Sequence, residues 1–221
     1  MVKLDRTEQR IVGVLIEKER TVADIYPLSE NALLDGCNQK SNRDPVTELV
    51  AFQIAGALMA LQQKDVVARV DGGGRVARYR HKLDEVLHVG DDELAVLAEL
   101  LLRGPQAPGA LKPRVARMGY HAAAESIEVL LRSMAGRAPA LVEQLPLASR
   151  ERERRWRHRL GDGSEVQEVA AASAPAPAAI AAPVVRASTA PTDDVLLDLL
   201  ERVEALEQQV RALQAQQRPP S

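Results

Sequence analysis

The residues best suited to chemistry are cations set at every second position along two short stretches. Arg78, Arg80 and Lys82 alternate with Tyr79, His81 and Leu83, and Arg155, Arg157 and Arg159 alternate with Trp156, His158 and Leu160. Successive side chains of a strand face opposite ways, so each stretch predicts one basic face and one face of aromatic, His and Leu. A basic face of this kind is read as one that neutralises phosphates, or as a solvated face over a core closed by the inward rings. Ahead of the second stretch, Arg150, Arg152 and Arg154 alternate with Glu151 and Glu153, and the glutamates blunt attraction to a phosphate backbone. Lys112, Arg114 and Arg117 add charge upstream. The polar run Asn38, Gln39, Lys40, Asn42 and Arg43 holds groups that bond base edges, peptide groups or their own backbone, and the Asp44-Pro45 step that closes it also suits a turn.

Reaction chemistry finds less support. Cys37 is the only cysteine, which leaves no disulfide framework and no thiolate cluster. His81, His88, His121 and His158 are scattered, with no pair at metal-ligand spacing. Gly72, Gly73 and Gly74 lack the Lys-Ser/Thr that follows a phosphate loop, so they are read as a turn. No nucleophile, base and acid fall together. These features predict a non-enzymatic protein with no cofactor and no metal. The polar first ten residues and the lack of an apolar run near 20 residues predict a cytoplasmic protein with no membrane partner.

The elements that would position these residues emerge from an internal repeat. The order aromatic, basic, His, basic, Leu at Tyr79–Leu83 returns 77 residues later at Trp156–Leu160. Helical apolar spacing at Ile11, Val14 and Leu15 is echoed at Val96, Leu100 and Leu101. The first copy reads as helices over 4–19, 29–37 and 47–64, with Ser29 as cap, then strands over 66–70 and 75–81 around the glycines. Ile54, Leu58 and Leu61 mark the buried face of its third helix. The second copy reads as helices over 91–103, 110–118 and 122–135, then strands over 140–147 and 153–160. Three helices followed by a hairpin is the order of a winged helix, a variant of the helix-turn-helix. The predicted class is mainly α with small β-hairpins: a first winged-helix domain over 1–86 and a second over 87–162.

The remaining chain differs in kind. Residues 163–193, crowded with Ala, Pro and Ser, predict a disordered linker reaching about 30 Å. Leu196, Leu199, Val203, Leu206, Val210 and Leu213 alternate spacings of three and four, the seam of a coiled coil over 194–216 and hence of a homo-oligomer. The other reading of that segment is a single amphipathic helix docking on its own domains.

Several of these residues also carry a resemblance. Leu15-Ile16-Glu17-Lys18, Tyr26-Pro27-Leu28-Ser29 with Asn31, and Cys37-Asn38-Gln39-Lys40 with Asn42-Arg43 and Pro45-Val46 resemble the YceH-like family of bacterial proteins. So do Leu101-Leu102-Arg103-Gly104 with Gln106, Pro108-Gly109, Arg114 and Ala116-Arg117-Met118. The resemblance implies a tandem winged-helix fold, brings no catalytic activity and assigns no binding residues. The third helix departs from it, carrying Ala51, Ala55, Gly56 and Ala57 where a more polar face is expected.

Charge and composition then weigh the partners. The chain has net charge −2, with 12 basic and 10 acidic residues over 89–164 and 4 and 8 over 165–221. That is a weak footprint for a nucleic-acid binder. The five aromatic residues are too few for a single-strand stacking platform. The third helix has no basic residue before Lys64 and offers Gln53 as its main candidate to read a base edge, and the helix over 122–135 carries Glu125 and Glu128 before Arg132. Two readings follow: a regulatory protein touching duplex DNA mainly through wing and return-strand arginines, or a module whose helices bind a protein partner. A small-molecule sensor in a cleft between the repeats has no residue cluster in the sequence to support it.

Overall fold

The first helix begins where Asp5 can cap it. Asp5 Oδ1 accepts the Glu8 amide at 2.8 Å, and Glu8 Oε2 accepts the Asp5 amide at 2.7 Å, the reciprocal pair of a capping box. From that start α1 runs Arg6–Thr21. A computed structural model of the chain describes residues 2–70, 76–147 and 152–162. The tip of the first hairpin, the wing tip containing Arg150, the linker and the seam Leu196–Leu213 lie outside the described residues. After α1 come β1 (Leu28–Ser29), α2 (Glu30–Cys37), α3 (Ala51–Gln63), β2 (Val67–Val70) and β3 (Arg78–His81). A short α4 (Leu83–Leu87) leads into α5 (Asp91–Arg103), α6 (Pro108–Ala116), α7 (Ala124–Ala135), β4 (Val142–Gln144) and β5 (Trp156–His158). The described residues are thus mainly helical, with two small antiparallel sheets.

Ser29 caps α2 by accepting the Ala32 amide at 3.3 Å. The third helix starts four residues later than its sequence predicts, and Asn38 explains the delay. Its side chain accepts the Leu49 amide at 2.7 Å and donates to the Leu49 carbonyl at 2.8 Å, while Thr47 Oγ1 donates to the Cys37 carbonyl at 3.0 Å. These bonds hold residues 47–50 extended, so the helix cannot begin before Ala51. In contrast α6 starts two residues early, because Pro108 at the first helical position needs no amide partner.

The sheets show the repeat in their register. In the first, ordered β1-β3-β2, Leu28 pairs with Tyr79 and Val67 with His81. In the second, Val142 pairs with His158, and Gln106 bridges to Trp156 where β1 would pair in the first copy. Sequence reasoning did not anticipate β1, because two residues carry no periodicity.

Both α1 and α5 are buried on all sides, Glu8–Glu17 of the one and Leu94–Leu102 of the other. A helix buried all round lies between two layers rather than on a surface. Each packs against its own repeat and against the other helix. The approach is close: a Cβ on Gly13 would lie 2.8 Å from Leu102 Cγ and 3.3 Å from Leu101 Cβ. Leu4 adds a second tie, its amide donating to the Leu160 carbonyl at 2.8 Å and its carbonyl accepting the Asp162 amide at 3.1 Å.

Candidate functional site

The stretches that carry the family resemblance converge on the junction between the repeats. Glu17, 2% exposed, accepts from Arg43 Nη2 at 2.6 Å and from Arg117 Nη2 at 3.1 Å, joining α1, the 38–45 loop and the end of α6. Arg43 also donates to the Gly36 carbonyl at 2.9 Å and the Asn42 carbonyl at 2.8 Å. Buried Arg10 reaches the Leu102 carbonyl at 3.2 Å and the Pro45 carbonyl at 2.6 Å. Lys18 bonds Gln39 at 3.3 Å, and Arg103 bonds Asn42. Asn38, Gln39, Asn42 and Arg43 therefore build the joint itself. Lys40 is the exposed member of the run.

Beside this joint lies an open groove of about 450 Å³, bounded by Asp44, the turn from Arg103 to Ala107, the start of α6 and the stretch Arg152, Glu153 and Arg155. Glu99, 1% exposed, sits behind it with Arg103 Nε 3.4 Å from its carboxylate. Burial pushes the Glu99 carboxyl up, against the pull of Arg103 and Arg114. Arg103 is lowered first by burial and then by Arg114, with Arg117 and Arg43 adding to the crowding.

The return strands show the alternation read from sequence: Tyr79, His81, Leu83, Trp156, His158 and Leu160 are buried. The basic faces opposite them carry counter-charges. Arg78 donates to the Pro27 carbonyl at 2.8 Å, Arg80 pairs with Glu85 at 3.0 Å, and Lys82 pairs with Asp65 at 2.7 Å. Glu143 receives Arg157, and Arg159 at 3.6 Å. On the second hairpin, Arg154 bonds Gln144 at 3.2 Å. The side chains of Lys112, Arg114 and Arg152 make no hydrogen bond or ion pair with another described residue.

The outward helix faces differ from these strands. On α3, Phe52 is 77% and Met59 63% exposed, with Gly56 between them and nothing near its would-be Cβ. Val46 and Val50, which precede the helix in the chain, are exposed as well. Gln53 Oε1 accepts the Val50 amide at 3.0 Å, so this side chain caps its own helix. On α7, Val129 is exposed beside Glu125 and Glu128. Sequence reasoning noted the alanines of α3 but missed the Phe52–Met59 stripe, which their spacing of seven would have shown.

Among the described residues no group of three or more His, Cys, Asp or Glu could hold a metal ion, and no helix is long and apolar enough to cross a membrane. Cys37 is buried, and burial pushes its thiol up to about 12.

The folded part thus defines a two-repeat, helix-rich body with one exposed apolar helix face, on α3, and a basic groove at its joint. A family model described as "Protein of unknown function, DUF480" matches residues 4–151. A UPF0502 protein of Citrifermentans bemidjiense is 44% identical over 168 residues, covering 76% of this chain and 78% of that protein. Another, of Geobacter sulfurreducens, is 45% identical over 159 residues, with 72% and 73% covered. A third, of Dechloromonas aromatica, is 39% identical over 214 residues, with 96% and 93% covered. The chain belongs to this DUF480 family of UPF0502 proteins.

Proposed function

We infer that this chain is a non-enzymatic cytoplasmic binding protein of the YceH-like kind. In this reading two winged helices present α3 and α7 to a protein partner, and the seam Leu196–Leu213 brings copies together. One observation carries it. The helix that would enter a DNA groove is α3, and its outward face is apolar, without a cation from Ala51 to Gln63. A duplex surface demands positive charge, whereas an exposed apolar stripe around a small residue suits another apolar surface. The buried Cys37 thiol, held far from its nucleophilic form, fits a binding role.

A second reading, contact with duplex DNA, is favoured by a different observation. Lys112 and Arg152 make no ion pair with another described residue, and Arg154, two residues after Arg152, is exposed. Two measurements on the full chain separate the readings. The first places a photo-crosslinking residue at 52 or 59 in living cells, with position 85 as control. The second is fluorescence anisotropy with random duplex DNA at about 50 and 200 mM salt. The protein-partner reading expects a discrete crosslink from 52 and 59 that is missing from 85, and no salt-sensitive duplex binding. Micromolar duplex binding that falls steeply with salt and with Arg152→Ala/Arg154→Ala, without any crosslink, overturns it in favour of DNA.

A further inference from the structure

We propose that the groove between the 38–45 loop, α6 and the second hairpin binds a small phosphate ester, a site that does not depend on whether α3 engages a protein partner. Its volume of about 450 Å³ falls within the range of small-molecule sites, about 300–1,000 Å³. Its lining holds four guanidiniums, Arg103, Arg114, Arg152 and Arg155, against the two carboxylates of Asp44 and Glu153. That excess stands out in a chain of net charge −2. Arginine is also the side chain whose fork of donors fits phosphate oxygens in pairs.

Three further features point to a ligand. Arg103 Nε is buried 3.4 Å from the Glu99 carboxylate without closing a hydrogen bond to it, and its cationic neighbours Arg114 and Arg117 crowd the same region. A phosphate dianion in the groove would relieve that crowding. Gln106, 6% exposed, donates to the Glu99 carbonyl while its own Oε1 stays buried without a donor. An acceptor in that state asks for a hydroxyl, which a phosphate ester of a polyol or sugar carries. Finally, α6 opens on Ala107, which offers no side-chain cap. The Glu153 carboxylate lies over its first turn, 3.4 Å from where a Gly109 Cβ would stand. A helix N-terminus attracts an anion, and the wing has placed its own there. Glu153 is thus an internal competitor that an incoming phosphate displaces.

The test is isothermal titration of the full-length protein with ribose 5-phosphate at constant ionic strength, with unphosphorylated ribose as control. Saturable binding of one ester per chain, with ribose silent, is expected. Arg114→Ala should weaken binding about tenfold or more, the usual loss for a charged hydrogen-bond donor. Glu153→Gln should tighten it about fivefold by removing a like charge near the phosphate. Both side chains are outside the core, and thermal melts would verify that the variants fold. If Arg114→Ala fails to fold, the direction of the Glu153→Gln change alone decides. No saturable heat at millimolar ester overturns the proposal, as does an affinity that neither substitution moves.

Discussion

Replacing Arg43 by Met tests whether the joint between the repeats is an electrostatic lock. The Arg43 side chain is fully buried, 2.6 Å from a Glu17 carboxylate that is itself 3% exposed. Removing one partner of a buried pair strands the other, at a cost of about 3–5 kcal/mol. Glu17 keeps Arg117 at 3.1 Å, but that guanidinium is 43% exposed and screened by water, so it offsets only part of the loss. Two carbonyls, of Gly36 and Asn42, also lose a donor. The sum places Arg43→Met near 3–4 kcal/mol, a large share of the roughly 5–15 kcal/mol typical of a folded protein. Glu17→Met strands Arg43 and should cost about 3 kcal/mol. The double substitution leaves no buried charge at this point and should return to within about 1 kcal/mol of the parent, because packed apolar groups replace buried pairs well. Urea unfolding followed by Trp156 emission gives the measurement, since this sole tryptophan is buried in β5, in the other repeat. With a slope near 2 kcal/mol per molar, each single substitution moves the midpoint by about 1.5–2 M. A loss below about 1 kcal/mol for Arg43→Met, or strictly additive losses in the double, refutes the lock.

Other outcomes follow from single residues. Gly13→Ala should destabilise by about 1–3 kcal/mol because its Cβ meets Leu102 at 2.8 Å, whereas Gly56→Ala, with open space around it inside a helix, should gain about 0.5–1 kcal/mol; thermal unfolding of the pair reads the contrast. The raised Glu99 carboxyl makes the folded chain hold a proton that the unfolded chain has lost, so stability falls as pH rises from the ordinary glutamate range through the raised value. Urea midpoints against pH should show this slope, and Glu99→Gln should flatten it. Cys37 should resist Ellman's reagent at pH 8 in the native state and react at once in urea, since its thiol sits near 12. Above the ordinary thiol range the unfolded chain alone ionises there, so stability is also lost as pH climbs past about 9. Leu199→Asp with Leu206→Asp should reduce the mass found by light scattering to that of one chain, if the seam associates copies.

The elements were more legible than the joint. Helical spacing located all three longer helices of each repeat, because apolar side chains at i, i+3 and i+4 reveal a buried face wherever they fall. Boundaries failed where a side chain from elsewhere intervened, as when Asn38 clamps Leu49 and delays α3. The groove was illegible for the same reason. Asp44, Arg103, Arg114 and Arg155 lie up to 111 residues apart in the chain. Only the packing of α1 on α5, and the approach of Glu153 to the first turn of α6, brings them together. Single-sequence patterns report on neighbours, and a site assembled from four separate segments has no local signature.

What repeats in this chain is scaffold, and the proposed binding surfaces lie in what does not repeat. Each return strand drives an aromatic ring inward and fastens its polar tip to a helix carboxylate: Tyr79 Oη donates to Glu30 at 2.8 Å, and Trp156 Nε1 to Glu128 at 2.9 Å. The basic residues between those rings find carboxylates beside them, Arg80 with Glu85 and Arg157 with Glu143. A motif whose charges are satisfied locally in both copies is a peg that holds a hairpin on its helices. By contrast the apolar stripe of α3 has no counterpart in the acidic face of α7, and Arg114 and Glu153 occur only in the second copy. The two repeats form similar frames, and the differences between them leave one hydrophobic face and one cationic groove. Substitutions in the pegs should therefore lower stability, whereas substitutions in the face or the groove should change binding at unchanged stability.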